Sequence, residues 1–355
     1  MIGHRTLKGL AAAALSAVLA VPLGFSAAEE PGETREPPAN YFRIGTGPVG
    51  ATYFPVGGLI ADVLTYRPGS DCESGGCGVK DLLAVAQVSQ GSVENVISIQ
   101  SGALESGIVQ ADVGYWMYMG QWAFSGREPA NKLRLIANLY TESVHLVARA
   151  DAGIKSVADL RGKRVSMGDT ASGTDLVARV VLGGFGLIEN DVKASHFGPV
   201  AAAEKLRAGK IDAFFLVSGA PVLAVQELAE ETTGTKDAVT LIAIAGLKAA
   251  RIRNTYFFYH PAVIPRGAYA GLGPTPTIGV SAQWLVSEDV DANLVYKLTR
   301  ELWSKPARAL LDAGHPEGRV IRLQTALEGI DLPLHPGAAR YYREAGVLKE
   351  ARSAP

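Results

Sequence analysis

The chain has 355 residues, with 34 Lys and Arg against 35 Asp and Glu, a formal net charge of -1 and 48% hydrophobic residues. Such a balance leaves no basic footprint for a nucleic acid. The length suggests about two domains.

The first residues bear on the compartment. Arg5 and Lys8 precede an apolar run over 9–25, and Ser26-Ala27-Ala28 supplies the small residues of a signal-peptidase site. The run is short and alanine-rich for a membrane span. Residues 1–28 therefore read as a signal peptide cleaved after about Ala28, the alternative being an uncleaved anchor. Removing Arg5 and Lys8 takes Lys+Arg from 34 to 32 and the net charge from -1 to -3. Residues 29–40, rich in Pro and Glu, read as a flexible leader.

A strand at 41–44 then runs into a loop with Gly45, Gly47 and Gly50 and a helix over 52–64. A helix start behind a glycine loop gathers unpaired N–H groups and the positive end of the helix dipole, which suits a small anion. Gly45-x-Gly47-x-x-Gly50 also fits the dinucleotide fingerprint, but the acid expected about 20 residues further on at a strand end is missing, since Asp62 falls inside the helix. A glycine-rich turn with no ligand is the remaining alternative.

Cys72 and Cys77, the two cysteines, bracket Glu-Ser-Gly-Gly. In an oxidising compartment this pair reads as a disulfide; zinc would need two further ligands, and none is evident nearby.

Beyond this loop the pattern alternates: strand 82–87, helix 92–101, strand 106–110, helix 113–121. This is βαβα order, typical of a mostly parallel sheet whose ligands sit outside the carboxyl ends of strands. Two apolar runs, 133–139 and 144–149, read as separate strands divided by Tyr140-Thr-Glu-Ser143. The pattern restarts with a short helix at 157–160, a strand at 164–167, a helix ending at 187, a helix at 200–208, a strand at 211–217, a helix at 221–229 and a strand at 240–245. After a return segment at 255–263, a strand at 277–286 and a helix at 290–302 follow. Strand-rich joints on each side of 147–252 suggest an inserted lobe, with 41–146 and 253–355 forming the other.

Ile44-Gly-Thr-Gly, Ala51-Thr-Tyr-Phe-Pro55, Gly91-Ser-Val-Glu-Asn95, Gly107-Ile-Val-Gln-Ala-Asp112, Val144-His-Leu-Val147, Gly153-Ile-Lys-Ser-Val-Ala-Asp-Leu-Arg-Gly-Lys163, Ser172-Gly-Thr174 and Ile211-Asp-Ala-Phe-Phe215 stand in this order. Together they resemble the TAXI-type solute-binding proteins of TRAP transporters over nearly all of residues 41–355. The Cys72–Cys77 loop also looks like that of one branch of the family. The resemblance implies an α/β, two-lobed periplasmic binding protein of type II-like build, each lobe a mixed sheet flanked by helices with a cleft between them. It implies a monomeric, non-catalytic receptor that carries a small carboxylate, a glutamate-like amino acid or another organic acid, to TRAP membrane permease subunits, without a cofactor or metal.

Candidate ligand contacts are Thr46, Gly47, Gly50 and Tyr53 in the opening loop, Ser92 and Gln110 at later strand-to-helix turns, and Ser172, Gly173 and Thr174 at a helix start, where hydroxyls and N–H groups hold a carboxylate without arginine. Asp112 is a candidate for an amino group on the ligand, or else caps its helix. Gly219 and Pro221 belong to the set because Gly219-Ala-Pro221 stands where relatives often carry an aromatic before the proline. His145, on an apolar strand, reads as a hydrogen-bonded core histidine. Catalytic motifs are absent: there is no Gly-x-Ser-x-Gly elbow and no His-Glu-x-x-His, and the six histidines are scattered. An exported enzyme acting on a small organic acid, or a sensory ligand-binding subunit, are the alternatives.

Overall fold

The structure is a computed structural model, and it describes residues 40–67, 76–235 and 237–348. The proposed signal peptide, nearly all of the leader, and Cys72 lie outside this range. Ten strands form one mixed sheet. They are β1 (Asn40–Gly45), β2 (Leu82–Gln87), β3 (Ser106–Gln110), β4 (Leu133–Arg149), β5 (Arg164–Ser166), β6 (Lys193–Ser195), β7 (Ala213–Ser218), β8 (Val239–Leu241), β9 (His260–Ile264) and β10 (Thr275–Ser287). Their order is β2-β1-β3-β10-β4-β7-β5-β6, with β8 paired to β4 and β9 to β10. The described residues belong to one compact unit, Pro38–Pro355.

Two long strands carry the sheet from end to end. β10 pairs with β9 through Thr275–Gly279 and with β3 through Ala282–Val286, while β4 pairs with β10 up to Ser143 and with β7 from Ser143 onward. The parallel trio β2-β1-β3 thus hangs on one side and β7-β5-β6 on the other. Parallel strands need crossover connections, and helices supply them. α1 (Tyr53–Leu64), α2 (Ser92–Gln100) and α3 (Ala111–Met119) follow β1, β2 and β3; α4 (Gly173–Gly184), α5 (Pro199–Arg207) and α6 (Leu223–Thr232) follow β5, β6 and β7. Each of these six helices opens at the carboxyl end of a strand.

One strand stands where the sequence reading placed two. Tyr140, Glu142 and Ser143 are buried, and residues 140–143 stay in register with Gly279–Ala282. Their polarity serves the interior of the protein and does not mark a turn. Three further helices escaped the sequence reading: α7 (Gly246–Thr255), α9 (Lys305–Gly314) and α10 (Pro336–Glu344). The strand read at 240–245 is cut short to Val239–Leu241 as α7 begins. α8 (Ala292–Leu302) was legible: Asp291 caps it by accepting from Leu294 N, and Val295, Leu298 and Leu302 recur on its buried face.

Hydrophobic packing follows the same division. One core joins Phe42, Ile60, Leu64, Trp284, Leu298 and Tyr342 around α1, α8 and α10; another joins Val147, Phe214, Leu216, Val225 and Leu228 beneath α5 and α6. A third runs from Val96 and Trp116 through Leu146 to Val177 and Ile252, covering the opposite sheet face across both sides.

Candidate functional site

Loops from both sides of the sheet meet over the middle of β4 and enclose a cavity of about 490 Å³, including the part open to solvent. Gly47, Pro48 and Ala51–Tyr53 come from the loop into α1, Gln90–Ser92 from the loop into α2, and Gln110 from the end of β3. Opposite them stand Gly168, Asp169 and Ser172–Thr174 at the start of α4, Phe197 and Pro199 before α5, and Phe215–Ser218 on β7. Glu142 rises from β4 into the cavity.

Glu142 is 1% exposed, and Tyr53 donates its hydroxyl to Glu142 Oε2 at 2.6 Å. Burial pushes the Glu142 carboxyl well above the usual carboxylate range; the Tyr53 hydrogen bond opposes this, while the nearby charges of Asp112 and Glu317 add to it. The same burial, with the charge of Glu142 next, raises the phenols of Tyr53 and Tyr140. Ser92 Oγ stands 3.4 Å from the Tyr53 hydroxyl and accepts from Gln110 N at 3.0 Å. Gln110 is 3% exposed, and its Oε1 has no hydrogen-bond partner among the described residues.

Across the cavity, Ser172 caps α4: its Oγ accepts from Asp175 N at 3.2 Å and donates to the Asp169 carbonyl at 2.6 Å. Thr174 Oγ1 accepts from Val217 N at 3.1 Å, which leaves the Thr174 hydroxyl proton to be donated elsewhere. In the first turn the N–H groups of Gly173 and Thr174 have no intrahelical partner, and the helix dipole adds positive potential there. At Gly173 the backbone comes so close to the Gln110 amide that a Cβ there would force that side chain to move. Asp169 adds a second carboxylate, pushed up by partial burial. Among the lining residues there is no Lys, Arg or His.

Of the residues expected from sequence, Gly47, Tyr53, Ser92, Gln110, Ser172, Gly173 and Thr174 line this cavity; Thr46, Gly50, Asp112, Gly219 and Pro221 do not. Thr46 is fully buried, donates to Gln87 O at 2.8 Å and, through its carbonyl, holds Ser89 and Asn95. Gly50 adopts φ 90 and accepts from Ala224 N at 3.3 Å. Asp112 is turned to Tyr259, whose hydroxyl donates to it at 2.6 Å, and burial lifts its pKa to about 7. It lies in the first turn of α3 without being the cap, which is Gln110. Gly219 packs against Glu317, which accepts from Ala220 N at 2.9 Å ahead of the cis Ala220–Pro221 bond. His145 is buried, with Nδ1 2.9 Å from Ser143 O and Nε2 2.8 Å from the Tyr269 hydroxyl; burial lowers its pKa to about 4.

Glu142, Asp169, Thr52 and Ser218 are among the cavity residues that sequence reasoning missed. For Glu142 a signal existed: it is the lone charge between two apolar runs which, read as one strand, put it deep inside. Among the described residues no group of three or more His, Cys, Asp or Glu is disposed to hold a metal, and no helix is long and apolar enough to cross a membrane.

Residues 44–346 match the NMT1-like family. Solved structures similar to the chain include a protein of Bordetella bronchiseptica RB50, with 17% identity over 87% of this chain and 90% of that one and a TM-score of 0.49. An ancestral arginine-binding protein bound to arginine is similar at 15% identity over 77% of this chain and 97% of that one, TM-score 0.45. The periplasmic aliphatic sulphonate binding protein of Escherichia coli is similar at 13% identity over 76% of this chain and 72% of that one, TM-score 0.39.

Proposed function

The chain belongs to the NMT1-like family, and we propose that it is an extracytoplasmic solute receptor that closes on a small carboxylate and delivers it to a membrane permease. In this reading the two sides of the sheet are lobes, 147–252 against 41–146 with 253–355, and β4 and β10 are the strands on which they hinge. The motif order seen in the sequence favours the TAXI branch and a TRAP-type permease. The signal-like residues 1–28 favour a periplasmic protein, and the family resemblance favours a monomer.

The observation that carries the reading is the placement of two helix starts, at Tyr53 and at Gly173–Thr174, on opposite walls of one cavity. Each offers N–H donors without an arginine, which suits a carboxylate desolvated on closure. The ligand-contact set under this proposal is Gly47, Tyr53, Ser92, Gln110, Ser172, Gly173 and Thr174, with Glu142 added.

Native mass spectrometry of the protein, purified without denaturation, tests the reading by showing whether a small acid is carried and released intact. A bound acid that returns unchanged supports a receptor; conversion of that acid would point to the exported enzyme instead. A neighbouring gene encoding many membrane spans would support the transport assignment.

A further inference from the structure

The charge of the cavity limits its ligand further than a carboxylate site does. Glu142 and Asp169 are the acidic residues of its lining, which holds no Lys, Arg or His, and Asp112 and Glu317 stand close enough to Glu142 to raise its pKa. Opposing positive potential comes from the helix starts, each equivalent to about half a charge at most, and from His196, whose charge acts on Asp169 against the effect of burial. Burial holds Glu142 toward its neutral form; a cation beside it would favour the ionised form, whereas a second ligand carboxylate there would meet no positive partner.

Polar satisfaction points the same way. Glu142 Oε2 takes one hydrogen bond, from Tyr53, and a carboxylate has room for several. Gln110 Oε1, nine-tenths buried or more, is an acceptor with no partner among the described residues, and the Gln110 amide also acts on the Glu142 carboxyl. Two residues that line one cavity thus carry buried acceptors, Gln110 Oε1 at the wall beside Gly173 among them, and a donor on the ligand would pair them, because an acceptor left unpaired away from water costs free energy.

We infer that the cavity selects a ligand bearing a cationic donor, a protonated amine or an amidinium, with zero or positive overall charge, and that Glu142 is the residue that reads this group. The ligand's carboxylate points to the start of α4 and its cation to Glu142 and Gln110. Asp112, the sequence-based candidate for the amino group, stays occupied by Tyr259. This inference rests on the receptor reading and narrows its ligand class.

The test offers the purified, ligand-stripped chain two probe mixtures: the standard amino acids, and the amine-free dicarboxylates succinate, glutarate and 2-oxoglutarate. Native mass spectrometry reads what is retained, and calorimetry measures it for the wild type and Glu142→Gln. The expected result is retention of a neutral or basic amino acid, a tenfold or greater loss of its affinity in Glu142→Gln, and a gain of dicarboxylate affinity in the same variant. That gain cannot arise from misfolding. Retention of a dicarboxylate or an acidic amino acid by the wild type overturns the inference and leaves the receptor reading in place. Retention of neither mixture overturns the inference, and the receptor reading then stands or falls on the acid carried through purification.

Discussion

Thr52 and Ser218, 166 positions apart, are held together over the cavity: Thr52 N donates to Ser218 Oγ at 3.2 Å, and their hydroxyl oxygens are 2.9 Å apart. Both residues are 1% exposed. The start of α1 is thereby tied to the end of β7, which belongs to the other side of the sheet. Near it, Ala224 N donates to Gly50 O at 3.3 Å, and Glu94 N to Ala171 O at 3.3 Å. The two walls of the cavity are in direct hydrogen-bond contact.

Ser218→Ala removes the acceptor of one buried N–H and the partner of a buried hydroxyl, so equilibrium unfolding should show a loss of about 1–3 kcal/mol. Chemical denaturation measures it. A change below about 0.5 kcal/mol, the range of an ordinary surface substitution, would count against this contact in solution.

The sequence disclosed this arrangement unevenly. Strands β1, β2 and β3 and helices α1, α2 and α4 were legible, because glycine or serine marks their turns and apolar residues recur at the right period. β4 was misread since Tyr140-Thr-Glu-Ser143 has the composition of a loop, and only tertiary burial makes it a strand. α7 was missed because it is weakly amphipathic, with only Ala249 and Ile252 buried. For the site, helix starts could be located from local signals, whereas Glu142 and Ser218 reach the cavity through pairings between distant strands. Thr46 and Tyr53 illustrate the limit. One opens the loop after β1 and the other begins α1, yet one hydroxyl turns to Gln87 and the other to Glu142.

Glu317 links Ala220 to the segment after α9, and burial raises its pKa from 4.5 to about 7. The unfolded chain ionises it near 4.5 and the folded chain only near 7, so its contribution is fully present below pH 4.5. As pH rises through this interval that contribution is lost, up to about 3 kcal/mol at about 1.4 kcal/mol per unit. Asp112 and Asp331, with pKa values raised to about 7 and about 6, act in the same direction, and His145, lowered to about 4, acts in the opposite one. A comparison with Glu317→Gln isolates the one group. Relative to the wild type, the variant should gain stability between pH 5 and pH 7, as read by melting temperature. Parallel curves for the two proteins would reject the assignment.

Cys77 is buried, and its proposed partner Cys72 lies outside the described residues. If the chain is exported, the two should be joined in the mature protein. Thiol counting under denaturing conditions, on periplasmic material, should find none; two free thiols would end the idea. Because the loop is short, reduction should cost little global stability.

Thr174 and Thr46 should respond oppositely to the same substitution. Thr174 lines the cavity at the start of α4, where its Oγ1 is occupied as an acceptor by Val217 N and retains a proton for a ligand carboxylate. A hydrogen bond to a charged group contributes about 1.5–3 kcal/mol, so Thr174→Ala should weaken ligand binding roughly tenfold to hundredfold. The substitution also removes the acceptor of the Val217 N–H, so some loss of unliganded stability accompanies it. Thr46 does not line the cavity, and its hydroxyl is spent on Gln87 O. Its Cγ2 packs so closely on Gly57 that a Cβ there would collide with it. Thr46→Ala should therefore lower unliganded stability by about 1–2 kcal/mol, from the lost hydrogen bond and the lost methyl contact, while changing affinity less than threefold. Calorimetric titration and a ligand-free melt of each variant give the four numbers needed. Unchanged affinity in Thr174→Ala would move the carboxylate away from the start of α4, and a large affinity loss in Thr46→Ala would show that the loop into α1 must be held by Thr46 for the ligand to bind.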